Sequence, residues 1–331
     1  MKRLTIWLLF LFLTSNSFGQ DYIKYQRIFN KIDEDVLSLN YKLAIERLDS
    51  IYSNFEFIYA KHCMKALQIC VSANDSINAE KWLTKCFKQG IPIWIIRKND
   101  ITKQSLAYST TKKTLHNYDS LYSIYKVSID TNLFNTIDSL LTIDQRYTSK
   151  VNNGFVLFRF SIYWLQWGIN NKRQLRILKQ IIENHGYPEE KLIGFGEFLE
   201  DSIVAAKHLT FYGPSEIREA SVQIMLQHCF STWHKIDLDF KNTLYQNLCK
   251  GYLPSYQYAI ITDFMYYGRK KHINDMFRVN NNKSDKEYID KINRNRNSIG
   301  LTTLEQQKRN KLLARERRGK RKANSEIMLE Y

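Results

Sequence analysis

The chain reads as an all-α fold: a region of paired helical hairpins followed by a second α-helical domain. Breakers are scarce, with 12 Gly and 4 Pro in 331 residues, which favours long helices over the many turns of a β-sandwich. Apolar residues recur three and four apart through most of the chain, the spacing of one helix face. Hydrophobic residues make up 44% and aromatics 14%, ample for a large core in a chain whose length suggests about two domains.

Residues 1–19 have the three parts of a secretory leader in order. Lys2 and Arg3 are positive, Leu4 to Leu13 is apolar, and Thr14 to Gln20 is small and polar. Ser17 and Gly19 place the cut after Gly19. The apolar run is well short of the roughly 20 residues that span a bilayer, and no Cys follows the cut to carry a lipid. The next most apolar stretch, Phe155 to Trp167, is also short and contains Arg159. An exported chain of the periplasm or outer envelope of a Gram-negative bacterium is therefore expected, with no transmembrane anchor.

Residues 20–117 read as helical hairpins. Tyr41 to Tyr52 carries Leu43, Ala44, Leu48 and Ile51 at helical spacing. Phe57 to Val71 carries Ala60, Met64, Leu67 and Val71. The turn Ala73-Asn74-Asp75 follows, with Ser76 expected to cap a helix through Ala79, Leu83 and Phe87 to Gly90. Two helices joined by an Asn-Asp turn, with Ala where they approach, resemble a tetratricopeptide unit. Cys63 and Cys86 fall where they either pair across a hairpin or pack as small buried apolar residues.

Residues 118–302 read as a second helical domain. Its predicted helices are Asn132–Lys150, Asn153–Trp167, Lys172–Asn184, Glu216–Trp233, Leu238–Cys249, Ser255–Tyr267 and Lys286–Asn297, parted by turns that include Gly154, Gly168, Gly186-Tyr187-Pro188, Gly251 and Pro254. The aromatic-rich Asn153–Trp167 is apolar on every side and is expected in the core. Three predicted helices carry a polar residue where the period calls for an apolar one. Asp144 continues the stripe of Leu133, Ile137, Leu140 and Leu141. Gln227 and His228 continue that of Ile217, Ala220 and Ile224. Asp263 shares a face with Tyr256, Ile260 and Tyr267. Each must be partly buried and find a partner, either in a closed structural network or in a polar pocket that includes Gln145.

The second half also resembles an uncharacterised helical domain family of secreted Bacteroidota proteins. The matching pieces run in order from Asp144 to Leu301: Asp144-Gln145; Asn171 with Leu175; His185-Gly186-Tyr187-Pro188; Gln227-His228; Lys250-Gly251-Tyr252-Leu253-Pro254; Asp263; and Arg294 to Ile299-Gly300-Leu301. Phe264 stands where the family pattern has Arg, and Asn295 splits the closing arginine pair. The resemblance implies a helical fold and no particular activity.

Residues 303–331 form a basic tail. Between Lys308 and Lys322 nine Lys and Arg face the single acid Glu316, in a chain of net charge +16. Arg315, Arg317, Arg318, Lys320, Arg321 and Lys322 are the candidates for attraction to an anionic envelope surface; export makes nucleic acid an unexpected partner. There is no GxGxxG, Walker loop, HExxH, GxSxG or CxxC. No cofactor or metal site is expected. The leading functional expectation is a non-enzymatic interaction scaffold with a protein partner in the cell envelope. The alternative is a ligand-binding or hydrolytic domain around Asp144, His228 and Asp263.

Overall fold

The computed structural model describes residues 21–155, 158–194, 221–232, 237–266, 276–277 and 285–318. Among them there is no strand, so the all-α class holds. The expected leader, residues 1–19, lies outside the described residues, as do Lys320, Arg321 and Lys322; Arg315, Arg317 and Arg318 continue the last helix.

The first region is built on α1 (Tyr22–Leu37), α2 (Tyr41–Asn54), α3 (Ala60–Ser72) and α4 (Ser76–Lys88), with α1 packed on α2 and α3 on α4. The turns within the two pairs are built alike, 35 residues apart. Leu39 and Asn74 both take left-handed φ, 60° and 56°. The amides of Leu39 and Asn40 donate to the carbonyls of Val36 and Asp35, and those of Asn74 and Asp75 donate to Val71 and Cys70. Asn40 then caps α2 by accepting from the Leu43 amide, and Asp75 caps α4 by accepting from Asn78. The cap expected at Ser76 belongs to Asp75, whose carboxylate reaches the amide three residues on; Ser76 is the first helical residue. Ala44 with Leu48, and Ala79 with Leu83, are fully buried at matching positions.

Helix α3 is buried on all sides, so its polar residues need internal partners. Lys65 meets Asp33 of α1 at 2.8 Å. His62 Nδ1 lies 2.7 Å from the Tyr25 hydroxyl, and its ring stacks on Phe29. All five cysteines are free thiols, with Cys63, Cys70, Cys86 and Cys229 buried.

Short helices α5 (Ile93–Lys98) and α6 (Lys112–His116) lead to α7 (Tyr118–Ser128). Helix α7 packs on α4, with Tyr118 against Phe87. A second core then forms between α8 (Thr131–Asn153), α9 (Trp164–His185), α10 (Glu190–Ile193), α11 (Ser221–Ser231), α12 (Leu238–Cys249) and α13 (Ser255–Tyr266). Helices α14 (Lys286–Ser298) and α15 (Leu304–Arg318) follow, with α15 packed on α1.

Two expectations fail in this half. Asn153–Trp167 is not one helix and Gly168 is not a turn. Helix α8 runs to Asn153, the chain breaks at Gly154, a π-helical turn covers Arg159–Tyr163, and α9 continues through Gly168. One helical glycine costs about 1 kcal/mol, which the burial of Leu175, Leu178 and Ile182 on the same helix outweighs. Nor is this stretch core: Phe155, Phe158, Ile162, Leu165 and Ile169 are 42–64% exposed. The buried face of α9 is Gly168, Asn171, Gln174, Leu175, Leu178 and Ile182, and that register turns Leu165 and Ile169 outward. On α13, Tyr256 is also exposed, although Ile260 and Asp263 are buried.

The regions meet through α1 and the start of α3. Glu190 accepts the Ala60 amide at 2.5 Å, a carboxylate at a helix N-terminus. The Tyr59 hydroxyl donates to the Gly251 carbonyl, and Asn30 donates to that of Gly300. Gly251 and Gly300 have φ of 73° and 83°, and a Cβ would fall 2.5 Å from the Tyr22 ring at the first and 2.8 Å from the Ile23 carbonyl at the second. Both turns thus need glycine for conformation and for the approach of α1.

Candidate functional site

Asp144 lies on the buried face of α8 with Leu133, Ile137 and Leu140, where the three-and-four spacing places it. Its carboxylate holds His228 of α11: Oδ2 is 2.8 Å and Oδ1 3.0 Å from Nδ1. Gln145 Nε2 donates to Oδ2 at 3.0 Å. With Nδ1 engaged, Nε2 is the ring nitrogen left for another partner, on a side chain 24% exposed. The Trp167 ring stands edge-on 5.6 Å from the imidazole.

Helix α9 closes the third side. Asn171 Nδ2 donates to the His228 carbonyl at 3.1 Å, and Gln174 Nε2 to the Leu140 carbonyl at 2.7 Å. The Cys229 thiol donates to the Asn171 carbonyl. Two amide side chains thereby sew α9 to α8 and α11 through their NH₂ groups. Their oxygens, Asn171 Oδ1 and Gln174 Oε1, are buried without a hydrogen-bond partner among the described residues, as are the donors Trp167 Nε1 and Asn170 Nδ2. Positions 167, 170, 171 and 174 follow helical spacing along one side of α9. Unmatched acceptors and donors together suit a small neutral molecule that offers both, water included.

The structure brings Asp144, Gln145 and His228 together. Gln227 is half-buried beside them and outside this network among the described residues. Asp263 is directed elsewhere: its Oδ1 accepts the amides of Met276 and Phe277 at 2.9 and 3.0 Å. Arg296 braces that segment from the other side, donating to the carbonyls of Phe277 and Thr302. Burial lowers the pKa of its guanidinium, and the charge of Asp263 opposes that shift.

A groove of about 630 Å³ lies at the turns of the first region. Leu39, Tyr41, Val71, Asn74, Ile101 and Gln104 line it, so both like-built turns open onto it. Leu39 is 62% exposed there.

Sequence reasoning missed Asn171 as a partner of the His228 carbonyl and Gln174 as one of the Leu140 carbonyl, the Lys65–Asp33 pair, and Glu190. A signal existed for the ion pair: α3 carries apolar residues on every side, so Lys65 has no solvent face. Glu190 gave none, since its partner is a backbone amide 130 positions away. Comparison of the chain with protein-family models, curated proteins and solved structures gives no match.

Proposed function

We propose that the chain is an exported, non-enzymatic helical scaffold of the cell envelope, holding a partner protein at the turns of its paired hairpins. Leu39 carries this reading. An L-residue in the left-handed region loses roughly 1–2 kcal/mol, and the matching position of the second turn is Asn74, a residue that tolerates it. A bulky apolar side chain kept there, 62% exposed over a groove, suits contact with a partner better than it suits the turn. The leader-like start, the tetratricopeptide resemblance and the basic tail from Arg315 to Lys322 support export and an anionic setting. Leu39→Asn is expected to raise thermal stability while abolishing the partner recovered after reversible crosslinking of intact cells. Undiminished recovery contradicts the groove.

A second reading rests on the unmatched oxygens of Asn171 and Gln174 beside the Asp144–His228 pair. There the chain binds a small polar ligand or hydrolyses one, with His228 Nε2 as proton acceptor. Loss of ligand binding or turnover in His228→Ala, with the fold intact, supports this second reading; full tolerance contradicts it.

A further inference from the structure

Helices α8 and α9 form an antiparallel hairpin: Gln174 bonds to Leu140 at one level, and Gly154 abuts Tyr163 at the other. The tip of this hairpin is apolar. Phe155, Phe158, Ile162, Leu165 and Ile169 are 42–64% exposed, with the rings of Phe155 and Phe158 5.6 Å apart. Leu165 and Ile169, four apart on α9, share one face, and Phe155, Phe158 and Ile162 stand exposed in the turns just before it, so an apolar ridge runs from the tip onto the helix. Solvated proteins rarely leave so continuous an apolar surface without a use for it.

Behind the tip stands a basic collar. Arg146 on α8 and Lys172, Arg173 and Arg176 on α9 are exposed. From Gln145 to Ile182 the chain has seven Lys and Arg and no Asp or Glu. Of the six whose side chains are described, Lys179 alone is matched by a carboxylate among the described residues, that of Asp237. At 1.5 Å per residue, Lys172 lies ~10 Å behind Leu165, and Arg146 ~12 Å behind Gly154. An apolar end followed at that distance by unpaired cations fits the step from acyl chains to phosphates at a bilayer surface. A second copy fits poorly, because two chains of charge +16 repel.

We infer that the α8–α9 tip docks into an anionic lipid surface. The ridge enters the acyl boundary, and the collar lies against headgroup phosphates. This surface is separate from the hairpin groove, and the inference stands whether or not the groove holds a partner.

Vesicles of phosphatidylglycerol with phosphatidylcholine, against phosphatidylcholine alone, test it by co-sedimentation of the full chain over a salt series. Binding to the anionic vesicles is expected, weakening as salt rises, with little to the neutral ones. Phe158→Ser with Leu165→Ser should reduce it about tenfold or more, since two large apolar side chains no longer leave water. The melting temperature should stay put, because both positions are already exposed. Arg173→Glu with Arg176→Glu should weaken it too, while removal of residues 319–331 leaves most of it. Wild-type binding by the ridge variant overturns the inference, as does loss of binding on tail removal alone or indifference to anionic vesicles. A chain that ignores vesicles but forms a dimer abolished by the ridge variant assigns this face to a second copy instead.

Discussion

In the first region Lys65 and Asp33 meet 2.8 Å apart with almost no exposure, and Tyr25 and His62 close on each other a turn away. In the second, Asp144 and His228 are just as close, but His228 reaches solvent and the neighbouring amides of Asn171 and Gln174 each keep an oxygen without a partner among the described residues. The first interior is closed, apart from the Trp82 indole. Its unusual feature lies outside, at the left-handed Leu39. Along one side of α9 the second interior holds buried polar atoms without a hydrogen-bond partner among the described residues, and its outer end is an apolar ridge. Buried polar pairs can therefore serve opposite purposes: a complete pair fixes the packing of similar helices, whereas an incomplete network leaves a place for something else.

The largest expected effect breaks the closed pair. Lys65→Ala leaves the Asp33 carboxylate buried without its cation and should cost about 3–5 kcal/mol, read by urea unfolding. Changing both residues to apolar ones of similar volume should recover most of that. A cost below 1 kcal/mol for the single change would remove the contrast between the regions. Next comes the open pair. His228→Ala leaves Asp144 with Gln145 and should cost about 1–3 kcal/mol, less than Lys65→Ala, because the imidazole is partly solvated.

Leu39→Asn acts in the opposite direction, with a gain of about 1 kcal/mol from the relieved backbone. A loss would mean that Leu39 is held by its own chain rather than reserved for another. The thiols sharpen the comparison without altering stability. Burial pushes Cys63, Cys70, Cys86 and Cys229 well above the ordinary thiol range, and Cys249 less far. Cys249 should be alkylated first at neutral pH, with the other four modified only as the chain unfolds. Mass spectrometry of partly labelled protein reads the order.

Much of the fold was legible because helical period and turn chemistry are local. Leu238–Cys249 was placed to the residue, and Ser255–Tyr266 and Lys286–Ser298 to within one residue at their ends. The stripe that ends in Asp144 foretold its burial. Its pairing with His228 is a contact between helices 84 positions apart, which no spacing rule reaches. The Asn153–Trp167 error has the same origin. An apolar segment looks alike whether it meets a neighbour or protrudes, and the register of α9 that decides between them is set by Asn171, Gln174 and Leu178 further along. Gly251 and Gly300 were legible as turns; that α1 leans on both was not.

The most direct measurement of the scaffold reading is photocrosslinking in intact cells from a reactive side chain at position 41, beside Leu39 on the groove, in the wild-type and His228→Ala backgrounds. A single defined protein adduct in the envelope fraction, the same in both backgrounds and lost with Leu39→Asn, is the expected result. No adduct, or one that disappears with His228→Ala in a chain that still folds, would contradict the scaffold and move function to the Asp144–His228 site.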